Sequence, residues 1–369
     1  MSRILGHSQP VNWLQDKKLT VGIVGVGDVV YKSHLPTLLA MDDVCLAWVT
    51  DRDHDRAKQA ARSCRVNWLG STDNCSGRPS QLTLQAARSC RVNWLGLPEQ
   101  LSVLPYTDII LLAIPYGARD PYYEVLQHRS SALFVEKPIA RSADEHRQLC
   151  SLFPPSRLAI GLQRRSWGPA VLLKKLVNES VFGRLTRIEF RHGSSAIVTS
   201  GKSFVSDVKL AGGGILFEHG IHGIDLALYI AGAKSAHSYR VKTIIDKGFD
   251  VHAEGRVILT NMSGELVLDF KVSWLSEVGE GLTFIFDHAV INMSVAEPRV
   301  LLRSRDRRAL MSLTDSSTIY PMTGFQTLWE YWRSFLAAVW SKAPNHTSAS
   351  TSLLTTELIE QIYVQGAGQ

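Results

Sequence analysis

Cysteine is scarce and shows no pairing pattern. Five residues, Cys45, Cys64, Cys75, Cys90 and Cys150, occur among 369, an odd number with no C-x-x-C spacing. That argues against both a disulfide framework and a thiolate zinc site. Long apolar runs are missing too. No uncharged stretch approaches the roughly 18 residues of a membrane span. Residues 1–20, which include Asp16, Lys17 and Lys18, hold no apolar core followed by a small-residue cleavage site, so secretion is not expected. A cytoplasmic protein without a membrane partner is the expectation. The formal charge of +6 is modest for the length, and its densest cluster, Arg299, Arg303, Arg305, Arg307 and Arg308, has no interleaved aromatics. It reads as a solvated loop or strand edge, and no nucleic-acid partner is expected.

What is present is an ordinary globular composition, 45% hydrophobic and 20% charged, with length enough for two cores. The first half alternates short β-branched runs with helical patterns. Strands are predicted at 19–24, 44–50, 108–114, 132–136 and 158–161, and helices at 34–41, 53–61 and 121–128. Ser142 and Glu145 fit a capping box that opens a further helix, ending before Pro154. Such alternation implies a parallel sheet covered on both faces. After residue 162 a helix at 168–178 and a strand at 185–191 lead to a glycine-rich loop and helix, 212–232. Strand-like runs follow at 239–245, 254–260, 265–274, 282–286, 290–295 and 299–303. That meander predicts antiparallel pairing. The expected fold class is α/β, with an N-terminal Rossmann domain over 19–141. An α+β substrate and oligomerisation domain over 142–369 would follow, with an open-faced, mostly antiparallel sheet. The tail, 323–364, is helical on both sides of a polar loop at 344–351, and its helix is expected to pack back on the first domain.

One feature is unusual. QAARSCRVNWLG stands at 59–70 and recurs unchanged at 85–96, a tandem duplication of 26 residues. Two copies do not make a solenoid. The first continues the helix that begins near Asp53, and the second leads into Leu97. Both compete for one helix–strand slot, so one must form an excursion, which the longer loop permits for about 2 kcal/mol. Burying the spare tryptophan, Trp68 or Trp94, is the harder problem.

Three constellations carry chemistry. Gly25-x-Gly27-x-x-Val30 lies between a strand and a helix. The first glycine permits a tight turn, and the second lets backbone approach a pyrophosphate. The helix start at Asp28 and Val29 offers N–H groups and a positive dipole end. Val30 departs from the usual Gly or Ala. Asp51 ends the second strand, where a carboxylate accepts ribose hydroxyls and repels a 2′-phosphate. NAD is the expected cofactor, with NADP open because Arg52 is adjacent. Next, Glu136-Lys137-Pro138 ends a later strand, where a lysine can bind a substrate hydroxyl and stabilise an alkoxide; a solvated turn is the plainer reading. Last, in GGGILFEHGIHGID at 212–225, helical spacing sets Glu218, His222 and Asp225 on one face. Glu218 can then orient His222, which can take a hydroxyl proton as hydride leaves, while His219 points elsewhere. A structural histidine capped by Glu218 is the alternative. No metal is expected, since the ligand order is not H-E-x-x-H.

With these motifs, His34-Leu35-Pro36 after VGIVGVGDVV, and GLQRRSWGPA at 161–170, the sequence resembles the glucose–fructose oxidoreductase, inositol dehydrogenase and rhizopine-catabolism (Gfo/Idh/MocA) family of NAD(P)-dependent oxidoreductases. The resemblance runs from about Leu19 to the C-terminus. It implies Lys137 as the catalytic lysine, His222 as the acid/base and Glu218 where relatives commonly carry Asp. It implies cofactor contacts from Gly25, Gly27, Asp28, Val29, Asp51, Arg52, Pro115, Tyr116, Glu136 and Lys137. Substrate contacts would come from Arg165, Asp225 and Arg119, the last near a position where relatives often carry His and suggesting an acidic substrate. The proline of Lys137-Pro138 is often cis in relatives. The implied activity is hydride exchange at a secondary alcohol or ketone of a sugar, polyol, cyclitol or keto compound, by a homo-oligomer, dimer or tetramer. Two alternatives stay open on the same scaffold: a non-catalytic, dinucleotide-sensing regulatory protein, and an imine or enone reductase.

Overall fold

The computed structural model describes residues 18–70, 91–94, 98–193, 207–294, 300–304, 310–312, 324–341 and 344–366. Its first sheet is parallel throughout, with strand order β3-β2-β1-β4-β5-β6. The strands are β1 Leu19–Val24, β2 Val44–Asp51, β3 Arg91–Trp94, β4 Ile109–Leu112, β5 Ala132–Val135 and β6 Leu158–Ile160. The helices among them are α1 Leu35–Leu39, α2 His54–Gly70, α3 Asp120–Leu126 and α4 Ala143–Leu152. β4 (IILL) and β5 (ALFV) are buried at every position, as strands covered on both faces must be. The sheet takes in β6, beyond the residue 141 expected as the domain's end. Strand order reverses between β1 and β4, so a crevice opens beyond their carboxyl ends, where such sheets bind ligands.

The duplication resolves into two conformations of one sequence. Arg65-Val66-Asn67-Trp68 lies within α2, whereas Arg91-Val92-Asn93-Trp94 forms β3, with Trp94 opposite Asp51. Thus the second copy occupies the sheet. Local propensity cannot separate identical residues; the unpaired edge of β2 does.

The second sheet has eight strands in the order β14-β13-β12-β11-β7-β10-β9-β8. They are β7 Leu185–Gly193, β8 Ser235–Asp246, β9 Phe249–Asn261, β10 Gly264–Ser273, β11 Glu280–Phe286, β12 Ala289–Met293, β13 Val300–Ser304 and β14 Leu310–Ser312. All neighbours are antiparallel except β7 and β10. Three helices accompany this sheet: α5 Gly168–Asn178, α6 Val208–Ala211 and α7 Ile221–Ala231. Ile188, Phe190, Leu268, Phe270 and Phe284 bury one face in a core shared with α7. The opposite face carries ion pairs, Arg187–Asp269 at 2.6 Å, Arg256–Asp269 at 2.7 Å and Lys271–Glu254 at 2.8 Å, as period-two alternation requires.

The tail forms α8 Gly324–Ser341 and α9 Leu353–Gly366. Tyr331, Trp332 and Phe335 of α8 pack into the parallel-sheet core, with Trp332 stacked on Phe134 at 4.5 Å between ring centres. The C-terminal region therefore folds back on the first domain and ties the two together. Among the described residues no helix is long and apolar enough to cross a membrane.

Candidate active site

The crevice starts at the turn after β1. Gly25 has φ +87°, and a Cβ there would lie 2.6 Å from the Ala113 carbonyl oxygen, so only glycine fits. Its N–H donates to Thr50 O at 2.8 Å. The Val26 N–H donates to Asp51 Oδ2 at 2.6 Å, and Asp51 Oδ1 accepts the Asp53 N–H at 2.8 Å. Two backbone amides thus fix the Asp51 carboxylate beside the loop. A Cβ on Gly27 would meet nothing within 4 Å, which leaves open space over the backbone. The amides of Val30 and Tyr31 return to Gly27 O at 3.1 and 3.0 Å, so helical bonding begins there and the preceding amides lie at the helix start. Asp28 and Val29 are exposed, and Asp28 pairs with Lys32 at 2.7 Å, which lowers its carboxyl pKa. Val30 is fully buried. Its side chain fills the core instead of the cradle, which explains the departure from Gly or Ala. Arg52 is exposed at the same rim. Pro115 and Tyr116 follow β4; the Tyr116 hydroxyl donates to Glu145 at 2.8 Å, and burial, with that carboxylate, raises its pKa. Open space above Gly27, helix-start amides and a fixed carboxylate fit a dinucleotide.

Beyond β5 comes Glu136-Lys137-Pro138, with a cis Lys137–Pro138 bond. Glu136 does not face the cradle. Its carboxylate is buried and accepts from His34 Nε2 at 2.7 Å, while Trp332 Nε1 donates to His34 Nδ1 at 3.0 Å. An indole only donates, so the His34 proton sits on Nε2. Burial pushes the Glu136 carboxyl up, but the His34 hydrogen bond and the neighbouring charges bring it below its ordinary value. The Glu136 side chain is thus taken up by His34 and anchors the loop that carries Lys137.

Lys137 faces the second domain. Its Nζ donates to Glu218 O at 2.9 Å and lies 3.4 Å from both Phe217 O and Glu218 Oε2. Asp250 holds that segment: it accepts the Gly214 N–H at 2.5 Å, the Leu216 N–H at 2.8 Å and the Tyr363 hydroxyl at 2.5 Å. Burial raises the Asp250 carboxyl. A Cβ on Gly214 would lie 2.1 Å from Asp250 O, so glycine is needed for this approach. His222, near the start of α7, is buried, and its Nδ1 has no partner among the described residues. Burial first, then the charges of Arg164, Lys137, His219 and His192, hold its pKa well below the usual imidazole range.

Four expectations change. Glu218 and His222 are not paired: residues Leu216–Gly220 form a π-helical turn, whose larger number of residues per turn alters the phase assumed for a regular α-helix. The Glu218 carboxylate sits on Lys137 instead. His219 does not point elsewhere, but stacks on His192 with ring centres 4.7 Å apart, in the field of Lys137 and Arg164. Burial lowers its pKa to about 4. Arg165 and Asp225 form a buried bidentate pair, 2.8 and 2.6 Å, extended to Thr351 Oγ1 at 2.6 Å and Thr355 Oγ1 at 2.9 Å. They join α7 to the tail and are buried among those partners. Arg119 is 2% exposed and donates to the carbonyls of Ile114 (2.9 Å), Glu136 (2.7 Å) and Pro138 (2.5 Å). It braces the loop around Lys137. Sequence reasoning missed Arg164 and His192. Arg164 was masked by its neighbour in Arg164-Arg165, and His192 lies far off in sequence at the end of β7.

Comparison with known proteins agrees with this fold. Residues 19–158 match the model of the oxidoreductase family with an NAD-binding Rossmann fold, and residues 171–290 match the Gfo/Idh/MocA C-terminal domain. The chain is 23% identical over 310 residues to the dTDP-3,4-didehydro-2,6-dideoxy-alpha-D-glucose 3-reductase of Streptomyces antibioticus, covering 80% of this chain and 84% of that protein. Among solved structures, an aldose-aldose oxidoreductase from Caulobacter crescentus complexed with glycerol superposes with a TM-score of 0.74 at 16% identity, over 95% of this chain and 98% of that one. An oxidoreductase from Agrobacterium radiobacter in complex with NAD+, L-tartaric acid and magnesium gives a TM-score of 0.73 at 15% identity, over 95% and 97%. At such identities the superpositions speak to fold, while the two family matches, spanning most of the chain, place it: the protein belongs to the Gfo/Idh/MocA family of oxidoreductases and binds a nicotinamide dinucleotide in its N-terminal Rossmann domain.

Proposed function

We propose that the protein exchanges a hydride between a nicotinamide dinucleotide, NAD in preference to NADP, and a secondary alcohol or ketone of a sugar or related polyol. The observation that carries this reading is the approach of the Lys137 ammonium to the segment holding His222, whose buried Nδ1 has no partner among the described residues. The nicotinamide, when bound, supplies or accepts the hydride. Lys137 has three donors, and its one short bond, to Glu218 O, leaves others for a substrate oxygen that gains negative charge. The neutral imidazole of His222 accepts a hydroxyl proton on oxidation and returns it on reduction. The carboxylate of Asp51, fixed at the end of β2, favours a ribose 2′-hydroxyl over a 2′-phosphate. The reductase from Streptomyces antibioticus and the aldose-aldose oxidoreductase from Caulobacter crescentus are named for sugar substrates, which supports the substrate class. A homo-oligomer using the charged outer face of the second sheet, and a cytoplasmic setting, complete the reading; sedimentation of the purified protein tests the former.

Turnover is tested with sugars, polyols and keto sugars, each with NAD and NADP. Lys137→Met and His222→Gln are expected to lower kcat/KM by about 10²–10⁴-fold, the range for losing an acid/base or an oxyanion partner. Saturable dinucleotide binding without turnover on the whole panel would instead favour a dinucleotide-sensing protein.

A further inference from the structure

Arg164 is a half-buried cation without a matched anion. It sits in the 3₁₀ turn Gln163–Ser166, directly after β6 at the carboxyl edge of the parallel sheet. Its neighbour Arg165 is locked to Asp225, and Asp225 lies one helical turn beyond His222 on α7. That buried pair clamps the turn to the helix and holds Arg164 close to the imidazole. Among the described residues the Arg164 guanidinium makes no hydrogen bond and no ion pair; the carboxylate whose charge reaches it is the exposed Glu280 at the start of β11. The other acid of the site, Glu218, already lies against Lys137. Two cations, Lys137 and Arg164, therefore stand at this end of the crevice beside the imidazoles of His192, His219 and His222, whose pKa values burial lowers.

Withdrawing a guanidinium from water without an anion is unfavourable, and a planar fork with free donors matches an oxyanion in two places at once. We infer that the substrate carries an oxyanion group, a carboxylate or a phosphate, close to the reacting carbon, and that Arg164 binds it. This rests on the hydride-transfer reading and narrows it to sugar acids or sugar phosphates. Arg119 is the poorer candidate for this part, because it is buried and its Nε and Nη1 donors are held by the carbonyls of Ile114, Glu136 and Pro138. There is a consequence for the acid/base group. Of the charges facing His222, that of Arg164 depresses its pKa most, ahead of Lys137, His219 and His192. An anion seated on Arg164 offsets that charge and raises the proton affinity of His222 when substrate is in place.

The test uses the full chain with saturating NAD and matched triplets: a hexose, its uronate and its 6-phosphate. Wild type is expected to show kcat/KM at least about tenfold higher for an anionic member than for its neutral partner. Arg164→Gln is expected to reduce that ratio to within about threefold, chiefly through KM, with Arg164→Lys between the two. Whichever anion is preferred identifies the source of the charge. A neutral preference in wild type, or an anionic preference that survives Arg164→Gln, refutes the inference. If no triplet turns over, the hydride-transfer reading fails, and thermal shifts of the NAD-loaded protein decide the anion site separately. Stabilisation by uronate or phosphate that is lost in Arg164→Gln supports the site. Equal shifts for neutral and anionic sugars, or for wild type and variant, overturn it.

Discussion

Replacing Arg119 with methionine separates two roles for one buried arginine. Methionine keeps most of the stem's volume, so packing is largely preserved. What disappears is a charged donor set bound to three carbonyls, those of Ile114, Glu136 and Pro138, at 2.9, 2.7 and 2.5 Å. Hydrogen bonds to a charged group contribute about 1.5–3 kcal/mol each. They share one side chain and water can reach part of the gap, so the losses do not add in full; about 3–5 kcal/mol is expected. Two of the three carbonyls flank Lys137, so the loop that sets its ammonium loosens as well, and kcat should fall about 10–100-fold from misplacement alone. Urea unfolding, paired with kcat and KM on one substrate, reads both effects. Stability within about 0.5 kcal/mol of wild type, with KM raised only for acidic substrates, would show that Arg119 meets substrate and that its assignment as a brace is wrong.

Other outcomes follow from the same structure. Removing residues 71–96 leaves one copy of QAARSCRVNWLG to supply both the end of α2 and β3. The shortened chain should fold and bind NADH, with stability within about 2 kcal/mol of the parent; loss of soluble expression counts against this. His146 is buried, accepts from Thr356 Oγ1 at 2.8 Å and donates to Ala349 O at 2.9 Å, and burial lowers its pKa to about 4. Because the unfolded chain takes this proton first, stability should be complete above about pH 6.5 and fall as pH drops toward 4, by up to about 3 kcal/mol. Denaturant midpoints at pH 7 and 4.5 check this, with His146→Gln flattening part of the drop; an unchanged drop removes His146 as a cause. Asp51→Ala should weaken NADH binding about tenfold and NADPH binding less, as titration of dinucleotide fluorescence would report; a parallel loss for both refutes the 2′-hydroxyl role.

Local rules made much of this protein readable. Buried runs such as IILL and ALFV announced parallel strands, because a strand covered on both faces must be apolar along its length. Glycines 25 and 27 marked the cradle, the first because its turn needs positive φ, the second because it leaves open space over the backbone. Lys137 and His222 stood out as chemical groups at strand and helix ends. Tertiary structure decided what those groups face. A π-helical turn shifted Glu218 from His222 to Lys137, and backbone carbonyls claimed Arg119. A distant Asp225 captured Arg165 and left Arg164 open, and identical tetrapeptides became helix in one place and strand in another. The physical reason is common to all four. Sequence fixes backbone preference and chemical type within a few residues, but a buried polar group or a strand edge finds its partner by proximity in the folded chain, and that proximity exists only once both domains have packed.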